Sequence, residues 1–238
     1  MKLSIIIPVF NEEKTILPVL EKVNKVVIDD VRKQIIVVND GSTDKTINKI
    51  KNFATKNPNI EIINHSKNQG KGAAVISGIK NATGDFIVIQ DADLEYNPED
   101  IGKLVKLVQD KKTQVVYGTR LNRLPSFSRD ERTPQFLLHY AGNKFLSLVT
   151  SMLYGEWITD METCYKLFSK KSIDGINLKA KGFELEPEIT AKLMRKGYKI
   201  LEVPISTNPR GYSEGKKLNT VRDGLIAFWT LLKYRIVD

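Results

Sequence analysis

An apolar, β-branched run, Phe86 to Ile89, leads directly into Gln90-Asp91-Ala92-Asp93-Leu94-Glu95. Such a run reads as a buried parallel strand. In an open α/β sheet, ligands bind beyond the carboxyl ends of the strands. Asp91 and Asp93, one residue apart at such an end, suit a hard divalent cation and the phosphates it carries. The same tripeptide also caps ordinary turns, so the other residues at that end of the sheet decide between the two readings.

Those residues depend on the elements that carry them. Leu3–Ile7 reads as a strand stopped by Pro8, and positions 16, 19, 20, 23, 26 and 27 are apolar at helical spacing. Gln34–Val38 reads as a second strand, turned by Asn39-Asp40-Gly41-Ser42, with Ser42 or Thr43 as N-cap of a helix to Thr55. Ile60–Ile63 follows as a strand, then a helix opened by Gly70-Lys71-Gly72 and ending near Asn81. After the 86–89 strand come a helix from Pro98 to Asp110 and a strand over Gln114–Tyr117. Strands alternating with helices of this length predict an α/β fold with a wound, mostly parallel sheet. Its carboxyl edge gathers Asn11-Glu12, Asn39-Asp40, His65, Asp91-Asp93 and Arg120.

Beyond 120, residues 121–134 carry Arg123, Arg129 and Arg132 among prolines and serines and read as a basic loop. Apolar positions 137, 141, 145, 148, 149 and 152 form a helical stripe that suits either packing on the sheet or membrane contact. Cys164–Phe168 reads as a strand, Glu186–Arg195 as a helix, and Thr220–Tyr234 as an amphipathic C-terminal helix suited to an interface or to docking. No low-complexity linker divides the chain, so one domain is expected: 1–120 for one ligand and 121–238 for a second.

Composition narrows the partners. The 238 residues carry a formal net charge of +9, which favours an anionic partner. Nine Lys/Arg against three Asp/Glu fall between Arg195 and Arg235. No basic–aromatic fingerprint of nucleic-acid binding is present, so no nucleic acid is expected. The lone Cys164 excludes an internal disulfide and fits a reducing compartment. The first residues read as a strand rather than a signal peptide, and no apolar run approaches the ~20 residues of a membrane span. His65 and His139 are not spaced as a metal pair.

Four ordered motifs, Pro8-Val9-Phe10-Asn11-Glu12, Asn39-Asp40-Gly41-Ser42-Thr43-Asp44, Asn68-Gln69-Gly70-Lys71-Gly72 and Asp91-Ala92-Asp93, together resemble the GT-A fold family 2 glycosyltransferases. Gly118-Thr119-Arg120, Asp160 to Phe168, Phe183-Glu184 with Glu186-Pro187-Glu188, and Tyr212 to Lys217 look like the dolichol-phosphate mannosyltransferase group. That group joins a nucleotide sugar to a polyprenyl phosphate. The resemblance implies a nucleotide-sugar site of Pro8, Phe10, Glu12, Val38, Asp40, Asp91, Ala92, Asp93, Arg120, Arg210 and Lys216. It implies a Mg2+ or Mn2+ ion on Asp93, with Glu95 where relatives often carry Gln. Asn39 departs from the family's usual Asp and removes one charge.

Arg120, Arg129 and Arg132 are candidates for the acceptor phosphate, since arginine grips phosphate bidentately. Asp91, Asp93, Arg120 and Asp160 form the candidate catalytic set. Asp160, Glu162, Glu184 and Glu186 are candidate bases, Asp160 foremost; a hydroxyl acceptor needs one, whereas a phosphate monoester, largely dianionic at neutral pH, does not. Gly70-Lys71-Gly72 suits an anion at a helix start or close helix packing.

The expected activity is inverting, metal-dependent transfer of a hexose, mannose or glucose, from GDP-mannose or UDP-glucose to a polyprenyl or dolichyl phosphate. The expected location is the cytosolic face of a membrane, peripherally bound or held by a membrane subunit. Two alternatives stay open: transfer to a sugar hydroxyl in surface polysaccharide synthesis, and nucleotide-sugar binding without turnover.

Overall fold

The β-branched runs pair into one sheet in the computed structural model, which describes residues 1–111, 113–121, 133–208 and 220–237. The strands are β1 (Lys2–Val9), β2 (Arg32–Asn39), β3 (Ile60–Asn64), β4 (Phe86–Ile89), β5 (Val115–Thr119), β6 (Lys166–Ser169) and β7 (Leu201–Pro204). The helices are α1 (Ile16–Lys25), α2 (Thr46–Ala54), α3 (Lys71–Asn81), α4 (Ile101–Lys111), α5 (Pro134–Tyr154), α6 (Lys170–Ile173), α7 (Leu185–Arg195) and α8 (Thr220–Ile236). The sheet order is β3-β2-β1-β4-β6-β5-β7. Every pairing is parallel except the two made by β6.

Ile5, Ile6 and Ile7 are all fully buried, the mark of a strand covered on both faces. The one polar residue inside β1, Ser4, stays paired: its hydroxyl donates to Gln34 Oε1 at 2.6 Å and accepts from the Gly84 amide at 2.9 Å. Buried polar groups need such partners.

Several expectations shift. The second helix starts at Thr46, not at a Ser42 or Thr43 cap, because Asp44 Oδ1 takes the Thr46 amide at 2.9 Å. Ser42 and Thr43 instead zip onto Asn11: the Asn11 amide donates to Ser42 Oγ, and the Thr43 amide donates to Asn11 Oδ1. The helix expected from Pro98 begins as a 3-10 turn, Pro98–Asp100, before α4. The strand expected over 164–168 runs 166–169 and is antiparallel, and β7 is an addition.

The apolar stripe of α5 faces outward rather than onto the sheet: Leu137, Phe145, Leu148 and Met152 are exposed. Asn143, Ser147, Thr150 and Ser151 are buried in that helix, together with Leu146.

Candidate active site

The chain runs from β1 outward through β2 to β3, then crosses back so that β4 lies on the other side of β1. This reversal opens a crevice at the carboxyl ends of β1 and β4, the place where wound sheets bind ligands. Antiparallel β6 starts at the same edge, so residues 160–165 arrive there too.

On the β1–β2 side, Pro8 and Val38 are buried, while Phe10 and Glu12 are part-exposed at the rim. Asp40 is 2% exposed, and its carboxylate accepts from the Gln69 amide (3.0 Å), the Gly70 amide (2.8 Å) and His65 Nδ1 (2.7 Å). His65 Nε2 lies 2.9 Å from Ser77 Oγ. Asp40 therefore sits at the start of α3, a favourable place for a carboxylate. Asn39 bonds Asn64 across β2–β3 at 3.2 Å, an amide contact that its departure from Asp makes available.

The glycines around Lys71 serve close packing. A Cβ on Gly70, whose φ is +99°, would stand 2.2 Å from the Lys181 carbonyl, and one on Gly72 would stand 2.7 Å from that of Ala180. The 179–184 segment is itself shaped by carboxylates: Glu188 accepts from the Lys179 and Ala180 amides, and Glu184 from those of Lys181 and Gly182.

This close approach seats Lys71 between Asp91, at 2.9 Å, and Glu186, at 3.1 Å. Burial works against the Lys71 ammonium, yet Asp91 and the neighbouring acids outweigh it and raise its pKa well above the usual lysine range. Ala92 is buried behind Asp91. Asp93 Oδ1 takes the Glu95 amide at 3.0 Å, and Leu94 between them has φ +66°. The left-handed residue lets the chain double back so that both carboxylates belong to one turn.

Arg120 leaves β5 on the same edge. Its Nε and Nη2 each donate to Asp160 at 2.8 Å, and its amide adds a third bond at 2.9 Å. Asp160 has 0% exposure. Burial would raise its pKa, but the Arg120 guanidinium and these bonds hold it below the ordinary carboxylate range. Glu202 fixes the turn by accepting from the Thr159 and Asp160 amides. Asp160 thus aims an arginine, and its lone pairs are largely committed to that.

Glu162 behaves differently. Burial, then the nearby Glu186, push its carboxyl up to about 8. Lys166, whose ammonium donates to the Met161 and Thr163 carbonyls, is pushed down to about 8 by burial. Cys164 is buried, and burial and then Asp91 raise its thiol.

The sheet edge therefore gathers Pro8, Phe10, Glu12, Val38, Asp40, Asp91, Ala92, Asp93, Glu95, Arg120 and Asp160. Arg129, Arg132, Arg210 and Lys216 lie outside the described residues. Sequence reasoning left His65 without a role and did not single out Lys71 or Lys166. The only trace of Lys71 was its place between two glycines.

Among the described residues, no three His, Cys, Asp or Glu side chains form a complete metal cage. Asp93 and Glu95 on one turn nonetheless fit a Mg2+-like ion, which binds through one or two carboxylates plus substrate phosphates.

The pattern of Glycosyl transferase family 2 matches residues 4–176. The UDP-N-acetylglucosamine–dolichyl-phosphate N-acetylglucosaminyltransferase of Methanococcus voltae is 30% identical over 249 residues, covering 98% of this chain and 95% of that one. The dolichol-phosphate mannosyltransferase of Pyrococcus furiosus is 28% identical over 98% of this chain, which spans 64% of the Pyrococcus protein. Among solved structures, glucosyl-3-phosphoglycerate synthase from Mycobacterium tuberculosis, with Mn2+, UDP-glucose and phosphoglyceric acid, superposes with a TM-score of 0.70 at 20% identity, covering 100% of this chain and 80% of that one. That likeness confirms the GT-A type α/β fold. On the family match and the Methanococcus relative together, the chain belongs to glycosyl transferase family 2.

Proposed function

We propose that this enzyme transfers a hexose, with inversion, from a nucleotide-diphosphate sugar to the phosphate of a polyprenol or dolichol. The names of the Methanococcus and Pyrococcus relatives support a dolichyl-phosphate acceptor. The observation that carries the acceptor class is the Arg120–Asp160 pair. Asp160, the foremost candidate base, is fully buried and doubly bonded to an arginine. A phosphate acceptor needs no base, because its own oxygen is already anionic. Arg120, in turn, holds a guanidinium charge at this edge through Asp160, where it can attract a phosphate.

Residues 1–120 would hold the nucleotide sugar: Phe10 and Glu12 take the nucleoside, and Asp91 and Lys71 lie nearer the sugar. Asp93 and Glu95 would hold Mg2+ or Mn2+. The ion supplies charge neutralisation on the leaving diphosphate, an assignment in keeping with the Mn2+ and UDP-glucose of the Mycobacterium structure. The remainder is placement and electrostatics by the protein. Residues 121–238 would receive the lipid, with α5 and α8 against the cytosolic face of a membrane or a membrane subunit.

The test is direct. The protein is incubated with GDP-mannose, UDP-glucose and other nucleotide sugars, Mn2+ and a short polyprenyl phosphate, and a glycosyl-phosphoryl lipid is sought. Transfer to free sugar hydroxyls but never to the lipid phosphate overturns this reading.

A further inference from the structure

Three buried oxygens at the sheet edge have no hydrogen-bond partner among the described residues: Glu162 Oε1, Thr163 Oγ1 and Glu186 Oε2. Glu186 is 4% exposed and Thr163 is 0% exposed. A buried acceptor left unpaired costs about 1–3 kcal/mol, and native folds tolerate few of them. Three near one another need a common cause.

Their position supplies one. Glu186 shares Lys71 with Asp91: its Oε1 lies 3.1 Å from the ammonium, which is 2.9 Å from Asp91 Oδ1. Its other oxygen is the unpaired one. Thr163 precedes Cys164, whose thiol is hydrogen-bonded to Asp91. The chemistry of the lining limits what fits. A cation is disfavoured, because Lys71 and Lys166 already lie beside these acids. A phosphate is disfavoured, because carboxylate oxygens repel it. An uncharged ligand that brings several O–H donors satisfies all three atoms. The raised pKa of Glu162 adds that this carboxyl holds a proton near neutral pH and can donate as well as accept.

We propose that Glu162 and Glu186 hydrogen-bond the ring hydroxyls of the donor sugar beside Asp91, with Thr163 as a third contact, and thereby select which sugar is transferred. This assignment rests on the donor being a nucleotide sugar. It separates two roles at one edge: Asp93 and Glu95 for the diphosphate and its ion, Glu162 and Glu186 for the sugar. A site that reads hydroxyls by buried polar groups discriminates strongly, since a sugar lacking one hydroxyl leaves a protein acceptor unpaired.

The test compares binding of the free diphosphate with binding of the intact donor. UDP, UDP-glucose, GDP and GDP-mannose are titrated, with Mn2+, into wild type, Glu162→Gln and Glu186→Gln by calorimetry. For whichever pair the wild type binds, each variant is expected to keep the diphosphate affinity within about twofold. The nucleotide-sugar affinity is expected to fall by roughly tenfold to a hundredfold for Glu186→Gln, the worth of a hydrogen bond to a charged acceptor, and by about twofold to tenfold for Glu162→Gln, whose carboxyl is protonated. Donors lacking the 3-, 4- or 6-hydroxyl complete a double-mutant cycle. At least one deoxy donor should weaken wild type but weaken the matching variant no further.

Equal losses for diphosphate and nucleotide sugar in both variants would falsify the assignment, as would deoxy donors that cost wild type and variants the same. Glu162→Gln keeps Lys71 paired and so guards against a variant that merely fails to fold. If wild type binds neither diphosphate, the nucleotide-sugar reading itself falls, an outcome distinct from a failed hydroxyl contact.

Discussion

Asp160 and Glu162 stand two residues apart and respond oppositely to burial. Asp160 has an arginine fork, so its folded pKa lies below the ordinary 3.8. Its contribution to stability is present above that ordinary value and is lost as pH falls through the lower folded one. Removing one partner of a buried pair leaves the other uncompensated, so Asp160→Asn should cost on the order of 3 kcal/mol in urea unfolding. It should also abolish transfer, because Arg120 loses its aim. Glu162 faces Glu186 and Asp160 as well as Lys166 and Arg120, and its carboxyl rises from 4.5 to about 8. The folded state then binds a proton that the unfolded state has released, so stability declines as pH rises from about 4.5 to about 8. Glu162→Gln should flatten that decline in melting curves taken between pH 5 and 8; a parallel decline in the variant assigns it elsewhere. Asp93→Asn, by contrast, should keep the fold while abolishing Mn2+-dependent transfer, because the amide retains an Oδ1 to accept the Glu95 amide but loses the charge that a divalent ion needs.

At the scale of elements, the first 120 residues were legible because each strand announces itself. Continuous β-branched runs such as Ile5-Ile6-Ile7, alternating with helices, are what a parallel sheet covered on both faces calls for. The polar residue after each run then had to lie at one edge. Antiparallel β6 was not legible in direction, since the short segment Lys166-Leu167-Phe168-Ser169 carries no sign of which way it pairs. Nor was β7, whose Leu201-Glu202-Val203-Pro204 includes an acid and a proline; its glutamate is consumed by the Thr159 and Asp160 amides. The glycines of Gly70-Lys71-Gly72 were read as open to an anion or to packing, and the distances decide for packing. Gly70→Ala should therefore be costly, combining a residue at φ +99° with a Cβ 2.2 Å from the Lys181 carbonyl. A loss of about 2–4 kcal/mol is expected in denaturant unfolding, together with weaker donor binding as the 179–184 segment withdraws Glu186 from Lys71. A variant of wild-type stability contradicts the packing account.

At the scale of the whole molecule, α5 turns a strip of polar residues inward beside Leu146 and leaves large apolar side chains outside. Its buried residues include Asn143, Ser147, Thr150 and Ser151, whereas Met152 is 77% and Phe145 56% exposed. The inward hydroxyls have fixed work: Ser147 takes the Met161 amide and Ser151 the Ile158 amide, so this face holds the turn that carries Asp160. The outward face continues onto α8, since Phe145 stacks on Phe228 at 6.3 Å and Trp229 is 68% exposed. An apolar patch of this kind on a soluble surface marks an interaction site. With Arg222, Lys233 and Arg235 on the same C-terminal helix and a chain charge of +9, an anionic lipid surface suits it. No described helix is long and apolar enough to cross a membrane; the proposed membrane contact is assigned to this face, lying in the interface. The double change Met152→Glu and Trp229→Glu introduces two charges without touching the buried hydroxyls. It should reduce cosedimentation with vesicles containing phosphatidylserine by about tenfold or more, from lost apolar burial and charge repulsion. Binding of nucleotide sugar in the absence of vesicles should not change. Transfer to a long-chain polyprenyl phosphate in vesicles should fall with it, while transfer to a short, water-soluble one should persist. Vesicle binding equal to wild type would assign the face to a protein partner instead.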